Sequence, residues 1–355
     1  MVVNERENGV SVIICCYNSA DKLGATLNAL IAQQFVYSDV FPIEVVIVDN
    51  ASTDNTSNFA KRTLSISGLA LECQILFEAT PGKTFALSQG ISKAKYPYIC
   101  VVDDDNSLAE DYLSLAWSVL EANPQIGILG GCGEAVLEGP APIWFDKFAI
   151  CYAAAGQAPK SGDLTTTNRF VYGAGSVMRK SAWDKIHRAG FKFLLTGNKG
   201  NQLTSGEDNE LCYALIIAGY KIWYDERLRF KHYIPSQRLN WEYVQKLFRA
   251  FAYTAATLQP YLDYLERMEQ GDFSPLGLSK PFVWARTARS MLKNLPIMFK
   301  QTKLDGVSRF KEGGLQSMYA ICYRDTIVNI IKKEFAGNKD FEQVQAFITN
   351  LQKLR

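Results

Sequence analysis

The chain has 355 residues, 48% of them hydrophobic and 21% charged, which is enough apolar material for one large domain and a smaller appendage. Its formal net charge of +2 argues against nucleic acid as the main partner, because a phosphate-backbone binder carries a concentrated basic excess. The opening MVVNERENGV lacks the apolar stretch of a secretory signal and no apolar run approaches the roughly 18 residues needed to cross a bilayer, so a cytoplasmic protein, or one held peripherally at a membrane surface, is expected.

Val10 to Cys15 (VSVIIC) is a continuous apolar run, β-branched at four of six positions, as in a strand buried on both faces. Leu23, Leu27, Leu30 and Ile31 then fall at helical spacing, with Ser19 or Asp21 available as N-cap. A second buried strand is read at Ile43 to Val48, ending in the polar turn Asp49 to Asp54, which can cap the next helix. A third strand is placed at Leu71 to Phe77, a helix at Thr84 to Ala94, and a fourth strand at Tyr98 to Val102. Strands alternating with helices predict an α/β domain with a mainly parallel sheet flanked by helices. From about Asn123 to Thr204 the chain is less regular, with a glycine-rich strand at Gly127 to Gly133 and a loop holding Pro140, Pro142 and Trp144. Glu207 to Gly219 reads as a helix, Lys221 to Tyr224 as a short strand, and the chain beyond Pro235 as mostly helical. Eight cysteines are scattered without a Cys-x-x-Cys pair, which predicts free thiols in a reducing compartment.

In open α/β sheets ligands gather at the carboxyl ends of the strands. Polar clusters stand at three of these ends: Tyr17-Asn18, Asp49-Asn50 and Asp103 to Asn106. Three consecutive aspartates crowd like charges, a cost that a divalent cation removes. Carboxylate oxygens are ligands that Mg²⁺ or Mn²⁺ prefers, with phosphate and water completing the shell. The other use of these aspartates, capping a helix that begins near Leu108, needs one acid rather than three.

The segments VSVIICCYN, EVVIVDNASTDNT, PGKTFALSQGISKAKYPYICVVDDDN and SGEDNELCYALIIAGYKIWYDERLRFKH, in that order, resemble the family-2 inverting glycosyltransferases of GT-A fold. The likeness runs from about Val10 to His232. It implies residues 1–235 as a catalytic domain that binds a nucleotide sugar; residues 236–355, which read as helical by their own pattern, are expected to contact the acceptor or a membrane surface. It implies a UDP- or GDP-sugar donor, a glycan or lipid-linked glycan acceptor, and Mg²⁺ or Mn²⁺. Residue by residue, Asp49 would accept a hydrogen bond from the base, with the backbone around Cys15 to Tyr17 lining the same pocket and Cys16, Tyr17 and Asn18 among the residues that bind the donor. Asp103 would meet the ribose or the metal shell, Asp105 and His232 would ligate the metal, and Asp104 would stand beside them or only hold the turn. Asp208 would be the general base that takes the acceptor proton, with Glu207 as the alternative, and the helix dipole would favour its ionised form.

Other readings of the same residues stay open. Glu207 and Asp208 also suit a helix start, and Lys83, placed to meet phosphate, also suits a solvated first turn. Trp144 and Trp183 offer a stacking face for sugar or a place in the core. Tyr172 to Ser176 resembles the segment with acceptor-side contacts. Gln237 to Trp241 partly resembles the Gln-x-x-Arg-Trp element of processive synthases, but Asn240 stands where that element has arginine, which favours transfer of a single sugar and leaves Arg238 near the diphosphate. The alternatives to a transferase are a non-catalytic nucleotide-sugar module or a processive synthase component. A dinucleotide oxidoreductase is disfavoured because no Gly-x-Gly-x-x-Gly follows the first strand. The basic and apolar residues interleaved from Phe282 to Lys300 fit an interfacial helix or a helix packed on the domain.

Overall fold

The β-branched, apolar segment Val10–Cys16 (β1) forms the centre of a sheet, with seven positions that are buried or nearly so. The computed structural model describes residues 9–33, 42–66, 72–197, 204–274 and 339–354, with a few isolated positions between 322 and 333. Helix Leu23–Ile31 (α1) leads to strand Ile43–Asp49 (β2), helix Thr56–Ile66 (α2) to strand Glu72–Phe77 (β3), and helix Lys83–Lys93 (α3) to strand Tyr98–Asp103 (β4). The four strands pair in parallel in the order β3-β2-β1-β4. Alternate residues of each strand point to opposite faces. Ile13, Val46 and Val48 therefore pack with Ala86, Leu87 and Ile91 of α3, while Val12, Ile14, Val45 and Ile47 pack with Leu23, Leu27, Ala60 and Leu64 of α1 and α2.

The second half of the sheet is mixed. It is built from Asn106–Leu108 (β5), helix Tyr112–Ala122 (α4), strand Ile126–Leu137 (β6), the short helix Phe145–Phe148 (α5), Gly162–Asp163 (β7), Val177–Arg179 (β8), helices Lys180–Arg188 (α6) and Glu207–Ile217 (α7), and strand Lys221–Ile234 (β9). β8 runs antiparallel between β4 and β6, β6 lies parallel to β9, and β5 and β7 lie antiparallel against β9. Helices Trp241–Thr257 (α8), Gln259–Glu269 (α9) and Lys339–Lys353 (α10) follow. α8 buries Trp241, Val244 and Phe248 against Trp144, Phe148 and Ile234. Tyr261 of α9 and Phe347 of α10 join the core beneath α7.

Three expectations are corrected. The short strand at Lys221 to Tyr224 is the beginning of a 14-residue strand, and His232 lies within it rather than past it. The chain bulges after Tyr224, since Gly130 pairs with Tyr224 but Cys132 with Arg229, and then resumes with Phe230 inward and Lys231 outward. The helix expected near Leu108 begins at Tyr112, because Asn106 to Leu108 pair with β9 first. Neither Ser19 nor Asp21 caps α1, whose first turn has no side-chain cap. Asp54 accepts at 3.0 Å from the N–H of Thr56, the first residue of the next helix. All eight cysteines are free. Among the described residues no helix is long and apolar enough to cross a membrane, and Phe282 to Lys300 lie outside them.

Candidate active site

In the parallel registers Cys16 stands opposite Asp49 and Cys15 opposite Asp103, so the carboxyl ends of β1, β2 and β4 finish at one level. A cavity of about 600 Å³ opens beside them, a size usual for a small-molecule site. Cys16, Tyr17, Lys83, Asp103, Asp104, Asp105, Glu207, Asp208 and His232 all line it, together with Arg238. Asp49 and Asn18 stand behind the lining. Asp49 accepts from the Ser52 N–H at 3.0 Å and from the Ser57 hydroxyl. Asn18 accepts from the Thr53 N–H at 2.8 Å and so ties the first polar loop to the second.

Each of the three aspartates has a basic partner. Lys83, the first residue of α3, places Nζ 2.6 Å from Asp103 and 3.5 Å from Glu207. Asp104 is held by the Ser19 hydroxyl and by Lys22 at 2.8 Å. Asp105 lies 3.6 Å from His232 Nε2 and 3.5 Å from Arg238. The Asp105–His232 meeting follows from strand pairing: His232 is in register with Asn106, and the Tyr233 N–H donates to the Asp105 carbonyl at 2.9 Å. Burial alone raises the pKa of Asp105, but His232, Arg238 and Lys22 outweigh it and hold the carboxyl well below the usual range. Burial would lower the imidazole pKa of His232, and Asp105 overcomes that to raise it. Asp104, most affected by burial, is shifted upward.

Asp105 and His232 fit a metal. His232 Nδ1 lies 2.6 Å from the Tyr152 carbonyl, which can only accept, so Nδ1 carries the hydrogen and Nε2 faces Asp105. A backbone carbonyl fixing the far ring nitrogen is the usual support of a ligating histidine. One carboxylate and one imidazole suit Mn²⁺ or Mg²⁺ when phosphate oxygens and water complete the shell. Among the described residues no group of three His, Cys, Asp or Glu side chains forms a metal site.

Asp208 is held differently. It is the second residue of α7, whose start is set by Gly206 at φ +100°; a Cβ on Gly206 would stand 2.2 Å from Thr254 of α8. The Asp208 carboxylate accepts from the Gly173 N–H at 3.1 Å and the Asn209 N–H at 2.9 Å. Burial, followed by the adjacent Glu207, raises its pKa to about 6 against those two bonds. The helix dipole expected to favour the ionised form is thus outweighed by desolvation. Glu207 gives one oxygen to Lys83, and its other oxygen is buried without a partner.

Gly173 belongs to the Tyr172 to Ser176 segment, which reaches the cavity through Tyr172, Gly173 and Ala174. Trp144 and Trp183 are core residues, packed edge-on against Trp241 and Phe191. Exposed His187 stacks on Trp183. Asn240, in the arginine place of the Gln-x-x-Arg-Trp element, caps α8 by accepting from the Tyr243 N–H at 2.9 Å. The sequence reading missed Lys22, Tyr152 and Tyr243, which also line the cavity. Lys22 alone carried a local signal: like Lys83, it is a lysine entering a helix just past a polar strand end.

Residues 11–186 match the family model described as Glycosyl transferase family 2. The chain is similar to poly-beta-1,6-N-acetyl-D-glucosamine synthases of Staphylococcus epidermidis, 24% identical over 249 residues, and of Staphylococcus aureus, 23% identical over 253 residues. Each alignment covers 67% of this chain and 55% of the relative, so the chain spans about half the length of the curated relatives it matches. Among solved structures, a mannosyltransferase from Pyrobaculum calidifontis in complex with GDP-Man and Mn²⁺ aligns with a TM-score of 0.54 and 17% identity, covering 91% of this chain and 87% of that one. That likeness speaks for the fold. The family match runs from β1 into α6, through the strands whose ends build the cavity, and the chain belongs to glycosyl transferase family 2.

Proposed function

We propose that this glycosyltransferase moves one sugar from a UDP- or GDP-linked donor to a hydroxyl of a glycan or lipid-linked glycan, with inversion at the anomeric carbon. The observation that carries the reading is one cavity holding both a cation-paired aspartate cluster and a separate carboxyl, Asp208, raised to about 6. A general base works best when its pKa lies near the working pH. Asp208, ionised above that value, takes the proton from the acceptor hydroxyl, and the Gly173 and Asn209 N–H groups keep its oxygens aimed. Glu207 is less suited to that role because Lys83 engages it.

Asp105 and His232 are the residues that would hold Mg²⁺ or Mn²⁺, whose chemistry is to take up the charge developing on a leaving diphosphate. Lys83 and Arg238 add fixed positive charge for the same phosphates. Cys16 and Tyr17 line the nucleotide end, Asp103 meets the ribose, and Asp49 supports the base pocket through its bonds to Ser52 and Ser57. Tyr243 and Leu247 of α8 bring the region beyond residue 235 to the cavity wall, which supports an acceptor role for it. The name of the curated relatives favours a second reading, processive synthesis of a glycan polymer. A product ladder from one acceptor, rather than a single added sugar, would select it.

Thermal unfolding with UDP or GDP, with and without Mn²⁺, tests the reading. A ligand that binds only the folded chain adds about 2.7 kcal/mol of stability at a hundredfold excess over its Kd. One of the two nucleotides is expected to raise the Tm, more so with Mn²⁺. No shift with either would overturn the donor assignment.

A further inference from the structure

Glu210 lies on α7 three residues after Glu207 and is fully buried, at 0% exposure. A buried carboxylate is costly unless hydrogen-bonded, and a leucine would fill an apolar core at less expense. Its two oxygens accept from the backbone N–H groups of Leu194, at 2.8 Å, and Leu195, at 3.1 Å. The Tyr261 hydroxyl of α9 also bonds it, and burial raises its pKa to about 8 against these three bonds. The clamped segment continues into Thr196 and Gly197, which press on the start of α3. The Thr196 carbonyl accepts from the Thr84 N–H at 3.3 Å. Gly197 has φ +68°, and a Cβ there would stand 2.8 Å from the Cβ of Lys83. Lys83 in turn reaches Asp103 at 2.6 Å and Glu207 at 3.5 Å. The contacts form a closed circuit from α7, through the Leu194 to Gly197 segment and α3, back to α7.

We propose that Glu210 is a positioning residue, whose clamp on Leu194 and Leu195 seats Lys83 between Asp103 and Glu207. The inference rests on the reading of Lys83 as a contact to the donor diphosphate. It accounts for an acid in the core at this position. Two neighbouring backbone N–H groups require two acceptors there, and an amide side chain would offer only one while turning its NH₂ toward the other.

The test is a double-mutant cycle on the full chain, with UDP and GDP as probes in the presence of Mn²⁺ and affinity read by calorimetry. Glu210→Gln is expected to weaken nucleotide binding by roughly three- to tenfold, the scale of one lost buried hydrogen bond. Lys83→Ala should weaken it further, and the double variant should be no worse than Lys83→Ala alone, because the clamp acts through the lysine. A merely structural role would lower Tm and the folded fraction while leaving the Kd of the folded fraction unchanged. Gly197→Ala, which crowds Lys83 from the same segment, is the second probe should Glu210→Gln fold poorly, and the same non-additivity with Lys83→Ala is expected. Additive losses, or wild-type affinity in the Glu210 and Gly197 variants, would overturn the proposal while leaving the donor site intact. Failure of the wild-type chain to bind either nucleotide would overturn the donor reading and this inference together, and a Lys83→Ala variant with normal affinity would remove the lysine contact on which it rests.

Discussion

Asp103 to Asp105 and the pair Glu207 and Asp208 share one cavity but hold their charge by different means. Each aspartate of the first group has a basic partner, Lys83, Lys22, or His232 with Arg238. The second group shares Lys83 with Asp103, and the lysine pairs there with Glu207. Asp208 is left with backbone N–H groups, and burial prevails over them. Asp105 therefore stays ionised far below neutrality, whereas Asp208 exchanges its proton near pH 6. Environments that push carboxyl pKa values apart are how one site assigns separate roles to one residue type. The cluster suits holding cations, and Asp208 suits moving a proton.

The largest expected effect comes from removing Asp208, the proposed proton acceptor. Asp208→Asn keeps the shape of the side chain and should lower kcat by roughly 10²–10⁴, the usual contribution of a positioned base. Affinity for the nucleoside diphosphate should stay near wild type. Equal loss of both would reassign Asp208 to the donor site. In the wild type kcat/KM should rise with pH up to about 6 and then level, because only the ionised carboxylate accepts the acceptor proton. A profile flat from pH 5 to 7 would contradict the assignment.

Asp105→Asn should act on the other group. It removes the carboxylate that His232 and Arg238 face. Loss of a supporting partner alone typically costs roughly 10–100-fold in metal affinity, and loss of a ligand should cost at least that. Titration of Mn²⁺ by electron paramagnetic resonance in the presence of UDP or GDP measures the change. Unaltered Mn²⁺ binding would move the metal away from Asp105.

This contrast was only half legible in the sequence. Apart from the paired Ser11 and Glu44, β1, β2 and β4 are apolar up to their ends because strands buried on both faces have no polar alternation, and their aspartate-bearing ends could be read directly. β9 could not be read beyond Tyr224, because its outer half alternates charged residues with Leu228 and Phe230. Its register, set by β5 and β6, is what brings His232 to Asp105. The bond from His232 to the Tyr152 carbonyl joins residues 80 apart, and that from Gly173 to Asp208 joins residues 35 apart. Such pairs leave no local spacing. In Glu207-Asp208-Asn209-Glu210 nothing local separates the acid in the core from those at the cavity, since acids suit any helix start.

The smallest expected effect tests whether the basic partners in the aspartate cluster are interchangeable. Lys22 lies 2.8 Å from Asp104 and is 33% exposed, so water shares its charge. Lys22→Met should therefore cost only about 1 kcal/mol of stability, in the range of partly exposed ion pairs and single hydrogen bonds. Asp104, already shifted upward by burial, would retain the Ser19 hydroxyl and take up a proton more readily, which limits the loss. Lys83, His232 and Arg238 would keep their own partners, so nucleotide affinity and kcat should change by less than the Asp105 variant changes metal affinity. Chemical denaturation and nucleotide calorimetry on the same variant separate the two outcomes. A loss of nucleotide affinity matching that of Lys83→Ala would show that Lys22 grips the donor phosphates, and that it is more than a counterion holding Asp104 in the turn.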